Sequence, residues 1–146
     1  MKIMLSFAEN LNSLMNEKNL NAPALAKILN TDRTNITRYL RGERLPNFKL
    51  FVSIIEYFNL SADVTLGLKD YSTESRFLPV KDFASNLRAV MQESNTTQYK
   101  IEKQLKISGA SMYNWLFGKS LPSIENLVKL AEFMDVSVDY LLGRVK

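Results

Sequence analysis

The chain of 146 residues contains neither cysteine nor histidine. Without cysteine it can form no disulfide and offers no thiolate, and without histidine it lacks the usual general base and the imidazole metal ligand of neutral pH. Two carboxylates, Asp63 and Asp139, follow a serine at matching places, where stabilisation of a helix N-terminus explains them. No nucleophile stands beside a base, so the sequence predicts no enzyme, no cofactor and no metal site.

Long hydrophobic runs are also missing. The first residues, MKIMLSFAENLNSLM, form an apolar patch that is interrupted by Glu9 and by asparagines, and this patch is too short for a signal peptide. No run approaches the length of a membrane span. The sequence therefore predicts a cytoplasmic protein with no membrane partner.

The residues that are present suit a globular protein of one ordinary domain or two small ones. Hydrophobic residues make up 46% of the chain and charged residues 23%. Lysine and arginine outnumber aspartate and glutamate by 19 to 15, which gives a net charge of +4. That charge suits a nucleic-acid partner, but charge alone does not establish one because many basic proteins bind no nucleic acid.

An internal repeat divides the chain into two copies. With an offset of 76 residues, residues 7–67 align with residues 83–143 without a gap. About a third of the aligned positions are identical, which indicates a duplicated domain rather than a solenoid. We expect one domain at residues 1–69, a linker at 70–82 and a second domain at 83–146. Within the linker, the apolar side chain of Phe77 is a candidate for docking onto a neighbouring surface.

Both copies show the periodicity of helices. Apolar residues recur at spacings of three and four, and the alternation typical of strands is absent. Residues that favour helix N-caps precede the second to fifth expected helices of each copy. They are Asn21, Asp32, Asn47 and Ser61 in the first copy and Thr97, Ser108, Ser123 and Ser137 in the second. The sequence therefore predicts an all-α fold with five short helices in each copy.

The second and third expected helices carry a recognisable frame. The stretches NAPALAKILNTDRTNITRYLRGERLP and TQYKIEKQLKISGASMYNWLFGKSLP both resemble the helix-turn-helix of the Cro and phage-repressor-like (XRE-type) DNA-binding family. The resemblance continues through IEYFNLSADVTLGL and AEFMDVSVDYLLGR. It implies two tandem five-helix domains of the lambda-repressor type. Asn30 suits the bend between the helices because it tolerates left-handed backbone angles, which Lys106 adopts at a higher cost.

The resemblance implies that the third helix of each copy lies in the major groove of double-stranded DNA. In the first copy, helical spacing turns Ile36, Tyr39 and Leu40 toward the core. Arginines on the opposite face are expected to read bases, and those past the helix end to bind phosphate. The candidate DNA-binding residues are Arg33, Thr34, Asn35, Thr37, Arg38, Arg41 and Arg44. The aromatic residues Tyr39 and Trp115 are expected to pack in the cores rather than stack on bases.

In the second copy the equivalent face is nearly neutral. Its candidate DNA-binding residues are Gln98, Ala110, Ser111, Tyr113, Asn114 and Lys119. Gln98 occupies a place where the family often has a glutamine bonded to phosphate, while Asn114 is able to bond adenine and Ala110 to meet a thymine methyl group. Phe117 replaces an arginine, and together with Tyr113 and Phe77 it is instead a candidate for a protein interface.

Two functions follow from these patterns. The first is a sequence-specific, repressor-like regulator of transcription that binds double-stranded DNA, as a monomer on two half-sites or as a homodimer. The second is an interaction module, such as an antitoxin or antirepressor, in which one helix-turn-helix domain binds a protein partner. The arginines favour the first function, and the exposed aromatic residues favour the second.

Overall fold

The computed structural model describes residues 2–146, and in that range it contains ten helices and no strand. The helices are α1 (Lys2–Glu17), α2 (Ala22–Leu29), α3 (Arg33–Leu40), α4 (Phe48–Tyr57), α5 (Ala62–Thr65), α6 (Phe83–Glu93), α7 (Gln98–Leu105), α8 (Gly109–Leu116), α9 (Ile124–Phe133) and α10 (Val138–Leu141). The predicted all-α fold with five helices in each copy is confirmed. Among the described residues, no helix combines the length and the apolar character that crossing a membrane requires.

The chain forms two compact units. The first unit contains α1 to α5 and extends to Arg76, and the second runs from Phe77 to Lys146 and contains α6 to α10. Phe77 therefore belongs to the compact part of the second unit.

The predicted N-caps are present at all eight positions. Each of these residues has an extended backbone immediately before its helix. In all of them except Asp32, a side-chain oxygen accepts a hydrogen bond from a backbone N–H of the first helical turn. Such caps satisfy N–H groups that have no partner within the helix, and each is worth about 1 kcal/mol. The short helices are thus delimited by local side-chain chemistry.

The core of the first unit joins α1 and α4 to α3. The Phe7 ring of α1 lies 6.2 Å from the Tyr39 ring of α3 and 6.0 Å from the Phe51 ring of α4, measured between centroids. All three side chains are buried. Apolar surface removed from water contributes roughly 25 cal/mol per Å². This packing fixes one face of α3 against the unit.

The second unit has an equivalent core, built from α6, α8 and α9. Met112 and Trp115 of α8 are buried, as are Leu87 of α6 and Leu127 of α9. Tyr39 and Trp115, at equivalent positions in the two units, were both predicted to be core residues, and both predictions are confirmed because Tyr39 is 2% and Trp115 5% exposed.

An ion pair is buried near the end of the second unit. Nη1 of Arg144 lies 3.0 Å from Oδ1 of Asp139, and the Arg144 guanidinium lies 4.6 Å from the centroid of the Phe77 ring. The Leu78 N–H donates to the Arg144 carbonyl oxygen at 2.9 Å. The expectation that a helix N-terminus alone explains Asp139 was incomplete, because its carboxylate also neutralises a buried guanidinium.

Candidate nucleic-acid interface

A tight turn joins α2 to α3 in the first unit. Asn30 ends α2 with a φ of 54°, in the left-handed region, and Thr31 N–H then donates to the Ala26 carbonyl oxygen at 2.9 Å. Bonds of this kind satisfy carbonyl groups at a helix C-terminus and redirect the chain. Because α3 begins at Arg33, three residues suffice for the bend.

The inner face of α3 is held by apolar and polar contacts. Ile36 and Tyr39 are buried, and the Asn12 side chain of α1 donates to the Leu40 carbonyl oxygen at 3.3 Å. The prediction that Leu40 faces the core was only partly right, because its side chain is half-buried at the C-terminal end of α3.

The outer face of α3 carries the predicted arginines. Arg33, Thr34 and Arg38 are exposed, and so are Arg41 and Arg44 beyond the helix end. On α3, Arg38 follows Thr34 by four residues and Arg33 by five, so these three side chains lie on a common side of the helix. The structure thus brings a cationic and hydroxyl-bearing surface together opposite the buried face.

The other candidate residues of the first unit have internal partners. Thr37 is half-buried and its hydroxyl donates to the Arg33 carbonyl oxygen at 3.1 Å, while the Asn35 amide donates to the Thr31 hydroxyl at 3.0 Å. These bonds restrict both side chains and leave the arginines and Thr34 as the exposed candidates of the first unit.

The position of Arg44 affects the electrostatics behind α3. Burial raises the pKa of the Tyr39 hydroxyl above its ordinary value, and the positive charge of Arg44 acts in the opposite direction. Arg44 therefore lies close enough to Tyr39 for its charge to act on that hydroxyl.

The second unit positions α8 in the same way. Lys106 ends α7 with a φ of 55°, so the lysine adopts the left-handed angles that asparagine adopts in the first unit. The Arg88 guanidinium of α6 donates to the Leu116 carbonyl oxygen at the end of α8. Arg88 is the counterpart of Asn12, so each unit ties the same carbonyl group to its first helix.

The outer face of α8 is aromatic rather than cationic. Tyr113 and Phe117 are exposed, with ring centroids 4.6 Å apart, and the Lys119 ammonium lies 5.0 Å from the Tyr113 centroid. Ala110 is exposed, whereas Ser111 and Asn114 are half-buried. The candidates of the second copy are thus adjacent to one another, but they form a surface of different chemistry from that of α3.

Sequence reasoning missed Glu102 on α7. Nε2 of Gln98 donates to Oε2 of Glu102 at 2.7 Å, so the amide that was expected to meet a phosphate already has a carboxylate partner. A methyl group built on Gly109, the first residue of α8, would lie 3.3 Å from Oε1 of Glu102. The spacing of four residues between Gln98 and Glu102 was the signal that could have revealed this pair.

Comparison with known proteins identifies the family to which these two motifs belong. Two segments of the chain, residues 11–64 and 87–141, match the helix-turn-helix family, and one segment lies in each unit. The chain belongs to the Cro/C1-type helix-turn-helix family. Within this family, α2 and α3 form the helix-turn-helix of the first unit and α7 and α8 that of the second. The resemblance predicted from the sequence is confirmed.

Two curated relatives carry a single stretch of similarity each. The cryptic phage CTXphi transcriptional repressor RstR of Vibrio cholerae is 34% identical over 67 residues, which is 46% of this chain and 57% of the relative. The HTH-type transcriptional activator BcrR of Enterococcus faecalis is 31% identical over 62 residues, which is 42% of this chain and 30% of the relative. The chain therefore spans less than two thirds of the length of either relative. No solved structure matches it.

Proposed function

We propose that this protein is a sequence-specific regulator of transcription that binds double-stranded DNA through the outer face of α3. The observation that carries the proposal is the exposure of Arg33 and Arg38 on a helix whose opposite face is buried around Ile36 and Tyr39. Membership in the helix-turn-helix family supports it, as do the names of the two relatives, which are a transcriptional repressor and a transcriptional activator. These relatives favour a regulator over an antitoxin or antirepressor.

The four arginines divide into two roles. A guanidinium offers two parallel donors that match O6 and N7 of guanine in the major groove, and Arg33 and Arg38 stand on the helix that would enter that groove. Arg41 and Arg44 follow the helix, where they would bind phosphate without regard to sequence. Thr34 is exposed between these groups and is suited to a base or a phosphate oxygen.

This regulator would act in the cytoplasm and without a cofactor. Its two tandem units would raise the local concentration of one motif when the other is bound, so that a single chain could occupy two half-sites. Selection of bound sites from a random DNA pool tests this arrangement. A repeated half-site protected by one chain per duplex supports occupancy by two units, and an inverted repeat protected by two chains supports a homodimer.

Alanine variants of the arginines test the assigned roles. Arg33→Ala and Arg38→Ala should each cost about 1 to 3 kcal/mol on the selected site and relax the preference at one base pair. Arg41→Ala and Arg44→Ala should weaken binding to selected and random duplexes alike. Lys18→Ala removes an exposed charge outside the surface and is the matched control. If all four arginine variants weaken both duplexes equally, the groove-facing side of α3 has been misassigned.

A further inference from the structure

The helix-turn-helix of the second unit keeps its positive charge although it lacks the arginines of the first. Residues 97–122 contain four lysines and one glutamate, and residues 21–46 contain five basic and two acidic residues, so the excess of positive charge is three in both. All four lysines of the second motif are exposed. This motif therefore retains a surface that attracts an anionic partner.

Exposed aromatic rings lie beside two of these lysines. Tyr113 and Phe117 of α8 have ring centroids 4.6 Å apart, and the Lys119 ammonium lies 5.0 Å from the Tyr113 centroid. The Phe117 side chain is 63% exposed, so most of its ring surface is available to a partner. On α7, the Lys103 ammonium lies 5.6 Å from the centroid of the exposed Tyr99 ring. We call Tyr113, Phe117 and Lys119 the aromatic cluster.

The aromatic cluster is absent from the first unit. The positions of Tyr113 and Phe117 are occupied there by Thr37 and Arg41, and Lys119 replaces an acidic residue, Glu43. The second unit thus has aromatic rings where the first has groups that form hydrogen bonds, and it has gained a cation next to those rings.

We propose that the aromatic cluster binds single-stranded nucleic acid, with bases stacked on the rings of Tyr113 and Phe117 and a phosphate beside Lys119. Each nucleotide of an unpaired strand carries one phosphate and one base with an accessible face, which matches a ring next to an ammonium. This activity is additional to the duplex binding proposed for α3 and does not depend on it.

The chemistry of α8 favours an unpaired strand over other occupants. In a duplex the base faces are stacked on one another and only the edges are accessible, and the exposed Gly109 and Ala110 have no side-chain group that bonds to an edge. A second copy of the chain would bring another cationic surface to the same place, which like charges oppose. An unpaired strand offers both the negative charge and the flat faces.

The test measures binding of labelled oligothymidine and oligouridine of about 12 nucleotides to the full chain by fluorescence anisotropy. Binding by α3 is separated by repeating each measurement with Arg33→Ala and Arg38→Ala in place. Phe117→Ala and Tyr113→Ala remove the rings, and Phe117→Leu keeps an apolar side chain without a flat face. 

The matched control is Tyr57→Ala. It removes an exposed ring from another aromatic pair, because Tyr57 lies 4.8 Å from Phe58 between ring centroids at the end of α4 in the first unit. Since the replaced side chains are exposed, the fold should be retained, and the fluorescence of buried Trp115 reports on the second unit.

We expect Tyr113→Ala and Phe117→Ala each to weaken binding about 5- to 100-fold relative to Tyr57→Ala, which is the usual effect of losing one stacked base. Phe117→Leu should lose most of the same affinity. Lys119→Ala should reduce the slope of log affinity against log salt by about 0.7. Phe117→Trp should retain binding, and its added fluorescence should be quenched when the oligonucleotide stacks on the new ring.

Several results would overturn this inference. They are equal affinity of Phe117→Ala and Tyr57→Ala for both oligonucleotides, full affinity in Phe117→Leu, and displacement of the oligonucleotide by polyglutamate or a duplex as readily as by an unlabelled single strand. A dimer in solution that becomes a monomer in Phe117→Ala would instead identify the cluster as an interface between copies. Binding of only one of the two oligonucleotides supports the inference and identifies the strand as DNA or RNA.

The function proposed for α3 fails through a different measurement. It is rejected if Arg33→Ala and Arg38→Ala leave binding to the selected duplex unchanged, whatever the result with single strands.

Discussion

Replacing Arg144 with methionine should destabilise the second unit severely. The Arg144 side chain is 1% exposed and that of Asp139 is 6% exposed, so methionine would leave a carboxylate buried without its cation. Breaking a buried ion pair from one side costs about 3 to 5 kcal/mol. Methionine is chosen because it fills the space of the arginine stem beside Phe77 while removing only the guanidinium.

The size of this loss is large compared with the stability of the unit. A unit of 70 residues, from Phe77 to Lys146, is expected to have a free energy of unfolding of about 4 to 10 kcal/mol. With a urea dependence of about 1 to 3 kcal/mol per molar, Arg144→Met should lower the unfolding midpoint by about 1 M or more. Trp115 is the one tryptophan of the chain and is 5% exposed, so its fluorescence reports on the second unit within the full-length protein.

A double variant keeps this prediction testable if Arg144→Met does not fold. Asp139→Asn combined with Arg144→Met removes both charges, so that no carboxylate is left buried without a cation, which is the main cost of breaking such a pair from one side. The double variant should therefore recover at least half of the lost stability. The reasoning is refuted if Arg144→Met unfolds within about 0.5 kcal/mol of the original chain, or if the double variant is no more stable than the single one.

Two further predictions concern the left-handed turns of the two units and the hydroxyl of Tyr140. Lys106→Gly should raise the free energy of unfolding of the second unit by about 1 kcal/mol, because glycine adopts a φ of 55° without the steric cost of a side chain. The gain from Asn30→Gly in the first unit should be smaller, because asparagine tolerates these angles better than lysine. Trp115 fluorescence in urea measures the first change, and far-UV circular dichroism in urea measures the second. The hydrogen bond that the Tyr140 hydroxyl donates to Glu93 raises the pKa of Tyr140. The stability that this bond contributes is therefore fully present below the pKa that Tyr140 has in the unfolded chain, and it is lost as the pH rises through the pKa of Tyr140 in the folded protein. Glu93→Gln should shift part of the tyrosinate absorbance to lower pH, and an unchanged titration curve would contradict this role of Glu93.

The helices were predictable from the sequence because their signals are local. Apolar spacing of three and four residues identifies the buried face of each helix, and the caps at Asn21, Asn47 and Ser108 need only a side chain within three residues of its N–H partner. The exposure of Arg33 and Arg38 followed from the same spacing, since Ile36 must be buried to hold α3 in place.

The features that escaped prediction depend on packing between elements. Arg144 lies near the end of the sequence and would be read as a surface charge, yet Phe77 and Asp139 enclose it. Glu102 faces α8 only because α7 and α8 pack across the turn at Lys106. The left-handed backbone of Lys106 shows the same effect, because the fold imposes an angle that lysine alone disfavours.

The left-handed turns have a consequence for how the two units can diverge. Asn30 and Lys106 differ in φ by about 1°, as do Gly42 and Gly118, although the helices between them share few side chains. The backbone thus has the same φ at these turns in both units, although the exposed side chains between them differ. We therefore expect that the outer residues of α3 and α8 can be exchanged without a change at these turns. Such an exchange would allow the two units to be compared directly, with the side chains of one helix carried on the backbone of the other.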